Sequence, residues 1–270
     1  MKLGIGTYCY MWSIGFPGAT PRNPMTAFGL LARARELGVQ VVQFGPNLSL
    51  ESLAKSDLDD LLAQAKKWDI ELEVGTRGLN LDHLQRQIDL ARRVGSKILR
   101  TIPELEGGET PNAEQLAESL RLIHPELGKS RVKLAIENGK IPAAILDRAL
   151  CLLSSPWIGI TLDTANSLAI PEGTEHVVKT LAPHTVCLHI KDFIVKRVWH
   201  MMGFVVEGKP AGQGQLNIPW LLEILRAAGA SGNAILELWP PEQKSLEETI
   251  ALEQSWVAAS IPYLRQLIPQ

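Results

Sequence analysis

Four ionisable residues in this chain each close an apolar run. Glu137 follows Lys-Leu-Ala-Ile, Asp163 follows Gly-Ile-Thr-Leu, His189 follows Val-Cys-Leu, and Glu237 follows Ala-Ile-Leu. Three carboxylates gathered in one cavity repel one another, and a divalent cation removes that conflict while lowering their pKa values. With a neutral imidazole they make a ligand set for a divalent metal ion, Mn2+ first, with Mg2+, Co2+ and Zn2+ as alternatives, and coordination positions remain for substrate oxygens. Such an ion steadies the negative charge of an enediolate or enolate. Proton transfer then needs a base on one face of the carbon and an acid on the other, roles open to Glu137 and Glu237. Lys191 is a candidate proton donor or carboxylate clamp. Taken singly, each residue has a plainer role: a strand-end Glu as a loop or capping group, a His among apolar neighbours as a hydrogen-bonded core residue. Their recurrence at matching depth in four runs gives the set its meaning.

Other residues fit the substrate side of such a pocket. Arg77 and Arg100 follow the third and fourth runs and suit bidentate bonds to a carboxylate or phosphate; their alternative is pairing with Glu73 or Glu104. Asn166 lies just beyond Asp163. Tyr8, Trp12, Trp199 and Trp239 are aromatic walls for an apolar sugar face, or plain packing.

Eight β-rich runs must position these side chains: 3–7, 39–44, 71–75, 97–100, 133–137, 158–163, 185–191 and 233–238. Each is short and rich in Val, Ile and Leu, as strands covered on both faces are. Helical periodicity fills 26–37, 81–94, 113–123 and 218–228, and a last helix spans about 246–265. Gly38, Gly95, Gly128 and Gly229 read as helix stops. Eight strand–helix units predict a single (β/α)8 TIM barrel over 1–270 as one domain, with function at the C-terminal strand ends. An open doubly wound sheet is the rival, but Gly4 and Gly6 sit inside the first run rather than in a phosphate-binding turn after it. The stretch 193–217 is long enough for an active-site lid or an oligomer contact, so a homo-oligomer is among the expectations.

Length, charge and composition agree. The chain has 270 residues, 27 Lys+Arg against 29 Asp+Glu, and 46% hydrophobic residues, which excludes disorder and a strongly basic nucleic-acid-binding chain. Three cysteines, Cys9, Cys151 and Cys187, offer no disulfide framework or CxxC zinc cage and suit a reducing cytoplasm. No run of 18 apolar residues occurs, so neither secretion nor membrane insertion is expected.

Ile-Glu-Asn (136–138), Leu-Asp-Thr-Ala-Asn (162–166), Leu-His-Ile-Lys-Asp (188–192), Gly-Gln-Gly (212–214) and Leu-Glu-Leu-Trp (236–239) resemble the xylose isomerase-like TIM barrels over essentially the whole chain. The resemblance implies a metal-dependent isomerase or epimerase acting on a small sugar, polyol or sugar acid, with Glu137, Asp163, His189 and Glu237 as metal ligands. The ketose epimerases in this group place a histidine soon after the sixth-strand aspartate, where this chain has Thr164-Ala165-Asn166-Ser167. They also place a substrate-binding arginine beyond the seventh-strand histidine, for which Arg197 is the nearest match. Glu73–Gly78, 163–167, 189–193 and 237–239 resemble more narrowly the branch containing 3-oxo-isoapionate decarboxylases, which implies a carboxy-lyase as the alternative activity. The family's abasic-site endonucleases use further histidines in a multi-zinc cluster; His83 and His124 fall on helices instead. A noncatalytic sugar-binding barrel is the remaining alternative. The expected partner is a small sugar or sugar acid, with no nucleic acid and no membrane.

Overall fold

The structure, a computed structural model, describes residues 1–103 and 110–269. In chain order the strands are β1 (Leu3–Gly6), β2 (Val41–Phe44), β3 (Glu71–Arg77), β4 (Ile98–Ile102), β5 (Lys133–Glu137), β6 (Ile158–Asp163), β7 (Thr185–Ile190), β8 (Asp192–Arg197), β9 (Phe204–Lys209) and β10 (Asn233–Leu236). β1 to β7 and β10 form a closed barrel in which β10 lies between β7 and β1. All of its pairings are parallel. The helices are α1 (Met11–Ile14), α2 (Ala27–Leu37), α3 (Lys55–Lys67), α4 (Leu81–Val94), α5 (Ala113–Ser130), α6 (Ala143–Leu153), α7 (Thr174–Leu181), α8 (Ile218–Ala227) and α9 (Leu246–Leu267). This is the expected TIM barrel.

Local signals set several boundaries. The Thr26 hydroxyl caps α2, which ends at Gly38 with φ 64°. Asn112 and Gln115 form a capping box at the start of α5. Gly128, expected as a stop, lies inside α5, and the left-handed cap falls to Arg131. Gly128 faces Trp157 instead: a Cβ there would come 3.4 Å from Trp157 Nε1. Gly4 likewise serves close approach, because a Cβ would lie 2.6 Å from the Val41 carbonyl oxygen. The region after β7 is an antiparallel hairpin, β8 paired with β9, rather than a plain loop.

The main core lies between the helices and the outer face of the barrel. The inner face carries only a thin apolar waist of Val41, Ile98, Ala135, Cys187 and Ile235. Paired residues in parallel strands point the same way, and successive residues alternate. That rule aims Gln43, Glu73, Arg100, Glu137, Asp163, His189 and Glu237 inward, most of them above the waist. The fold therefore fills the C-terminal half of the barrel with polar groups. Among the described residues no helix is long and apolar enough to cross a membrane.

Candidate metal centre

The register brings the four expected ligands together. Asp163 pairs with His189, and Glu137 pairs with Thr161, two residues below Asp163 on the same face. All four side chains are buried. Around His189 Nδ1 lie Glu237 Oε1 at 3.4 Å, Glu137 Oε2 at 3.5 Å and Asp163 Oδ2 at 3.8 Å. Glu137, Asp163 and His189 offer ligand atoms all within 4.8 Å of one another.

Neighbouring groups fix each orientation. Asp163 Oδ1 accepts the backbone N–H groups of Ala165 and Asn166, which leaves Oδ2 facing inward. Asn138 brackets the same residue, accepting the Asp163 N–H at 2.7 Å and donating to its carbonyl at 2.9 Å. Asn166 donates its side-chain amide to Glu137 Oε1. His189 Nε2 meets Gln43 Oε1 at 2.8 Å, and Gln43 donates in turn to Glu73 Oε2. With Nε2 as the donor, Nδ1 presents its lone pair to the carboxylates.

Two cations share the centre, Arg100 buried and Lys191 partly buried. Arg100 Nε pairs with Glu137 Oε2. Lys191 Nζ lies 2.8 Å from both Asp163 Oδ2 and Glu237 Oε2. Burial works against the charge on Lys191, but Asp163, Glu237 and Glu137 push its pKa upward. Burial would raise Glu237, yet the positive charges beside it, Lys191 and Arg100, hold it well below the usual carboxylate range.

The residues present fit a divalent ion. His189 Nδ1 is buried and makes no hydrogen bond, while Asp163 Oδ2 and Glu237 Oε2 face inward with the Lys191 ammonium 2.8 Å away. An orphaned imidazole nitrogen ringed by three carboxylate oxygens is the arrangement that a cation satisfies.

The other expected residues divide into two groups. Lys191, Asn166 and Arg100 belong to the cluster, and Tyr8 stands beside it with its ring 5.8 Å from the Arg100 guanidinium. Arg100 is buried on Glu137, a partner not foreseen; Glu73 bonds elsewhere, and Glu104 lies outside the described residues. Arg77 ends β3 and is exposed on the rim. Trp12 packs edge-on against Phe16, and its backbone N–H is held by Glu253. Trp239 packs against β9 at Gly208. Arg197 is exposed on the hairpin, where it donates to the Met201 carbonyl, and Trp199 at the tip is 91% exposed. Both lie outside the cluster. Gln43, Glu73 and Asn138 carry supporting roles that the sequence did not assign: Glu73 and Asn138 stand in the quoted motifs without a role, and the inward parity of β2 and β3 is the signal for Gln43 and Glu73.

The hairpin is tied to the centre through Asp192, the residue after Lys191. Its carboxylate accepts the backbone N–H groups of Gly212, Gly214 and Leu216. A Cβ at Gly214 would lie 2.1 Å from Asp192 Oδ1, so the Gly-Gln-Gly turn wraps this carboxylate as only glycine allows.

Residues 30–258 match the family model described as xylose isomerase-like TIM barrel. The 3-oxo-isoapionate decarboxylase of Pectobacterium atrosepticum is 31% identical over 265 residues, which span 98% of this chain and 95% of that protein. Among solved structures, D-psicose 3-epimerase with D-tagatose from Clostridium cellulolyticum H10 superposes with a TM-score of 0.74 at 14% identity, covering 99% of each chain. A xylose isomerase-like TIM barrel protein from Mycobacterium smegmatis, in complex with magnesium, superposes at 0.70 with 13% identity over 97% of each chain.

Proposed function

The chain belongs to the xylose isomerase-like TIM barrel family, and from that premise we propose that it is a divalent-metal-dependent enzyme that decarboxylates a 3-oxo sugar acid through an enediolate. The observation that carries the reading is the pair of cations inside the carboxylate ring. Glu137, Asp163 and Glu237 bring three negative charges, and Arg100 and Lys191 return two positive ones. A divalent ion would leave the pocket with one net positive charge, which suits a monocarboxylate substrate better than a neutral ketose. Arg100 Nη1 is buried without a hydrogen-bond partner and is a ready donor for that carboxylate.

Glu137, Asp163, His189 and Glu237 would hold the ion, which would supply a Lewis acid for the developing oxyanion. In the reaction the bond to the carboxylate carbon breaks, its electron pair passes to the 3-oxo oxygen, and CO2 leaves. Lys191, kept charged by three carboxylates, then delivers a proton to the carbon that lost CO2. Tyr8 closes one side. The isomerase or epimerase reading asks Glu137 and Glu237 to shuttle protons, but Arg100 with Asn166 engages the first and Lys191 the second. The likeness to the decarboxylase over nearly the full length of both chains supports the same reading. Mn2+ remains the first choice of ion, with Mg2+ supported by the magnesium-bound relative.

The test is a screen of metal-loaded protein against 3-oxo sugar acids, ketoses and inososes, following CO2 release and C–H exchange together. CO2 release is expected, and Glu237→Gln should lower it by about 10^2 to 10^4-fold with the fold retained. Proton exchange without gas would install the epimerase reading. Loss of water would make it a dehydratase, and sugar binding without turnover a noncatalytic barrel.

A further inference from the structure

The opposite mouth of the barrel holds a cavity of about 600 Å³ that the proposed reaction does not use. Among the described residues, Lys2, Lys66, Lys97, Arg131 and Lys133 line it, against the two acids Glu71 and Glu73. Lys2 is spent on Glu71 at 2.8 Å. Among the described residues, no carboxylate lies within ion-pair distance of the other four. Glu71 feels Lys97 at longer range, yet five cations against two acids in one concavity is not the average behaviour of a chain whose net charge is −2. Like charges at one mouth repel, and an anion is what relieves them. The cavity also offers the half-buried ring of Trp157 and an apolar floor at Ile98, so it is shaped for an organic body as well as for charge.

Asn233 joins this mouth to the metal centre. It lines the cavity and donates from Nδ2 to Glu73 Oε1 at 2.8 Å. Glu73 Oε2 accepts from Gln43 at 3.0 Å, and Gln43 Oε1 meets His189 Nε2 at 2.8 Å. These side chains cross the barrel waist as one continuous set of hydrogen bonds. Its far end sets which nitrogen of His189 carries the proton and how the ring is turned.

We infer that the N-terminal mouth is a second ligand site, for a small phosphorylated compound with a flat ring, and that Asn233, Glu73 and Gln43 couple its occupancy to His189. Phosphate oxygens meet Lys97, Lys133, Arg131 and Lys66, and the ring lies along Trp157. The binding half stands by itself. The coupling half rests on the reading of His189 as a metal ligand.

AMP and inorganic phosphate are the probes, titrated calorimetrically into the full chain with and without saturating Mn2+. AMP should bind more tightly than phosphate, and Lys97→Glu/Lys133→Glu should weaken AMP by at least about tenfold, equivalent to about 1.4 kcal/mol, with turnover in the absence of AMP unchanged. Equal AMP affinity in that variant, or no AMP binding to the natural protein, overturns the site. Phosphate binding as tightly as AMP overturns the ring-bearing class. Because linkage is reciprocal, Mn2+ should change AMP affinity by at least about fivefold. Glu73→Leu, with its fold checked by circular dichroism, should keep AMP binding and lose that dependence. An AMP affinity indifferent to Mn2+ in the natural protein overturns the coupling alone. Failure of the decarboxylase screen with AMP binding intact strikes only the proposed reaction.

Discussion

Arg100 shows what one side chain contributes at the centre. It is 2% exposed, its Nε is spent on Glu137, and the tyrosine ring of Tyr8 covers the guanidinium. Removing one partner of a buried ion pair strands the other charge, whereas removing both leaves a neutral pocket. Arg100→Met should therefore cost about 3 to 5 kcal/mol in urea unfolding, and Arg100→Met/Glu137→Gln should recover most of that loss. Additive losses in the two single variants would disprove the pairing. The candidate cluster is legible in the sequence, because each member is a lone ionisable group at the end of an apolar run. The partner of Arg100 is not: Glu137 is 37 residues away, and only the register of β4 against β5 places both on the inner face. Gln43 and Glu73 are visible as strand residues, but their link to His189 depends on closure of the barrel.

Between elements, Glu253 ties α9 to α1. Its carboxylate accepts the backbone N–H groups of Trp12 and Ser13 and the Ser13 hydroxyl. Burial outweighs these donors and pushes its pKa up to about 7, from an ordinary 4.5. The folded state thus holds a proton that the unfolded chain has released between those values. Its contribution is complete below about pH 4.5, falls as pH rises through 7, and amounts to about 3 kcal/mol. Urea midpoints at about pH 5 and about pH 8 should differ accordingly, and Glu253→Gln should flatten this part of the profile. A natural protein no less stable at the higher pH would contradict the assignment. Element boundaries were legible where a local signal dominates, as at Thr26 and Gly38. They were hidden where tertiary contact overrides it, as at Gly128, whose missing side chain serves Trp157. The β8–β9 hairpin was hidden because its strands pair only with each other and expose apolar residues where an alternating pattern would bury them.

For the whole molecule, that hairpin is the least finished surface. Trp199, Met202 and Phe204 are 91%, 86% and 68% exposed, with Met201, Val195, Val205 and Val206 beside them. Large aromatic side chains cover roughly 150 to 250 Å² each, so Trp199 and Phe204 supply roughly half of the roughly 800 Å² per partner that a stable interface needs, and the methionines and valines beside them extend it. A second copy of this chain is the expected cover. Sedimentation should give a dimer, and Trp199→Ser/Met202→Ser/Phe204→Ser a monomer; a monomeric natural protein would refute this. Closure of the barrel has a separate consequence for how the molecule is made. β1 takes one of its neighbours from β10, and the Lys2 N–H reaches Asn233 across 231 residues. At ribosomal speeds that interval lasts roughly ten to fifty seconds. Throughout it the first strand of the nascent polypeptide waits with an unpaired edge, and the stave that delivers Glu237 is among the last to be translated.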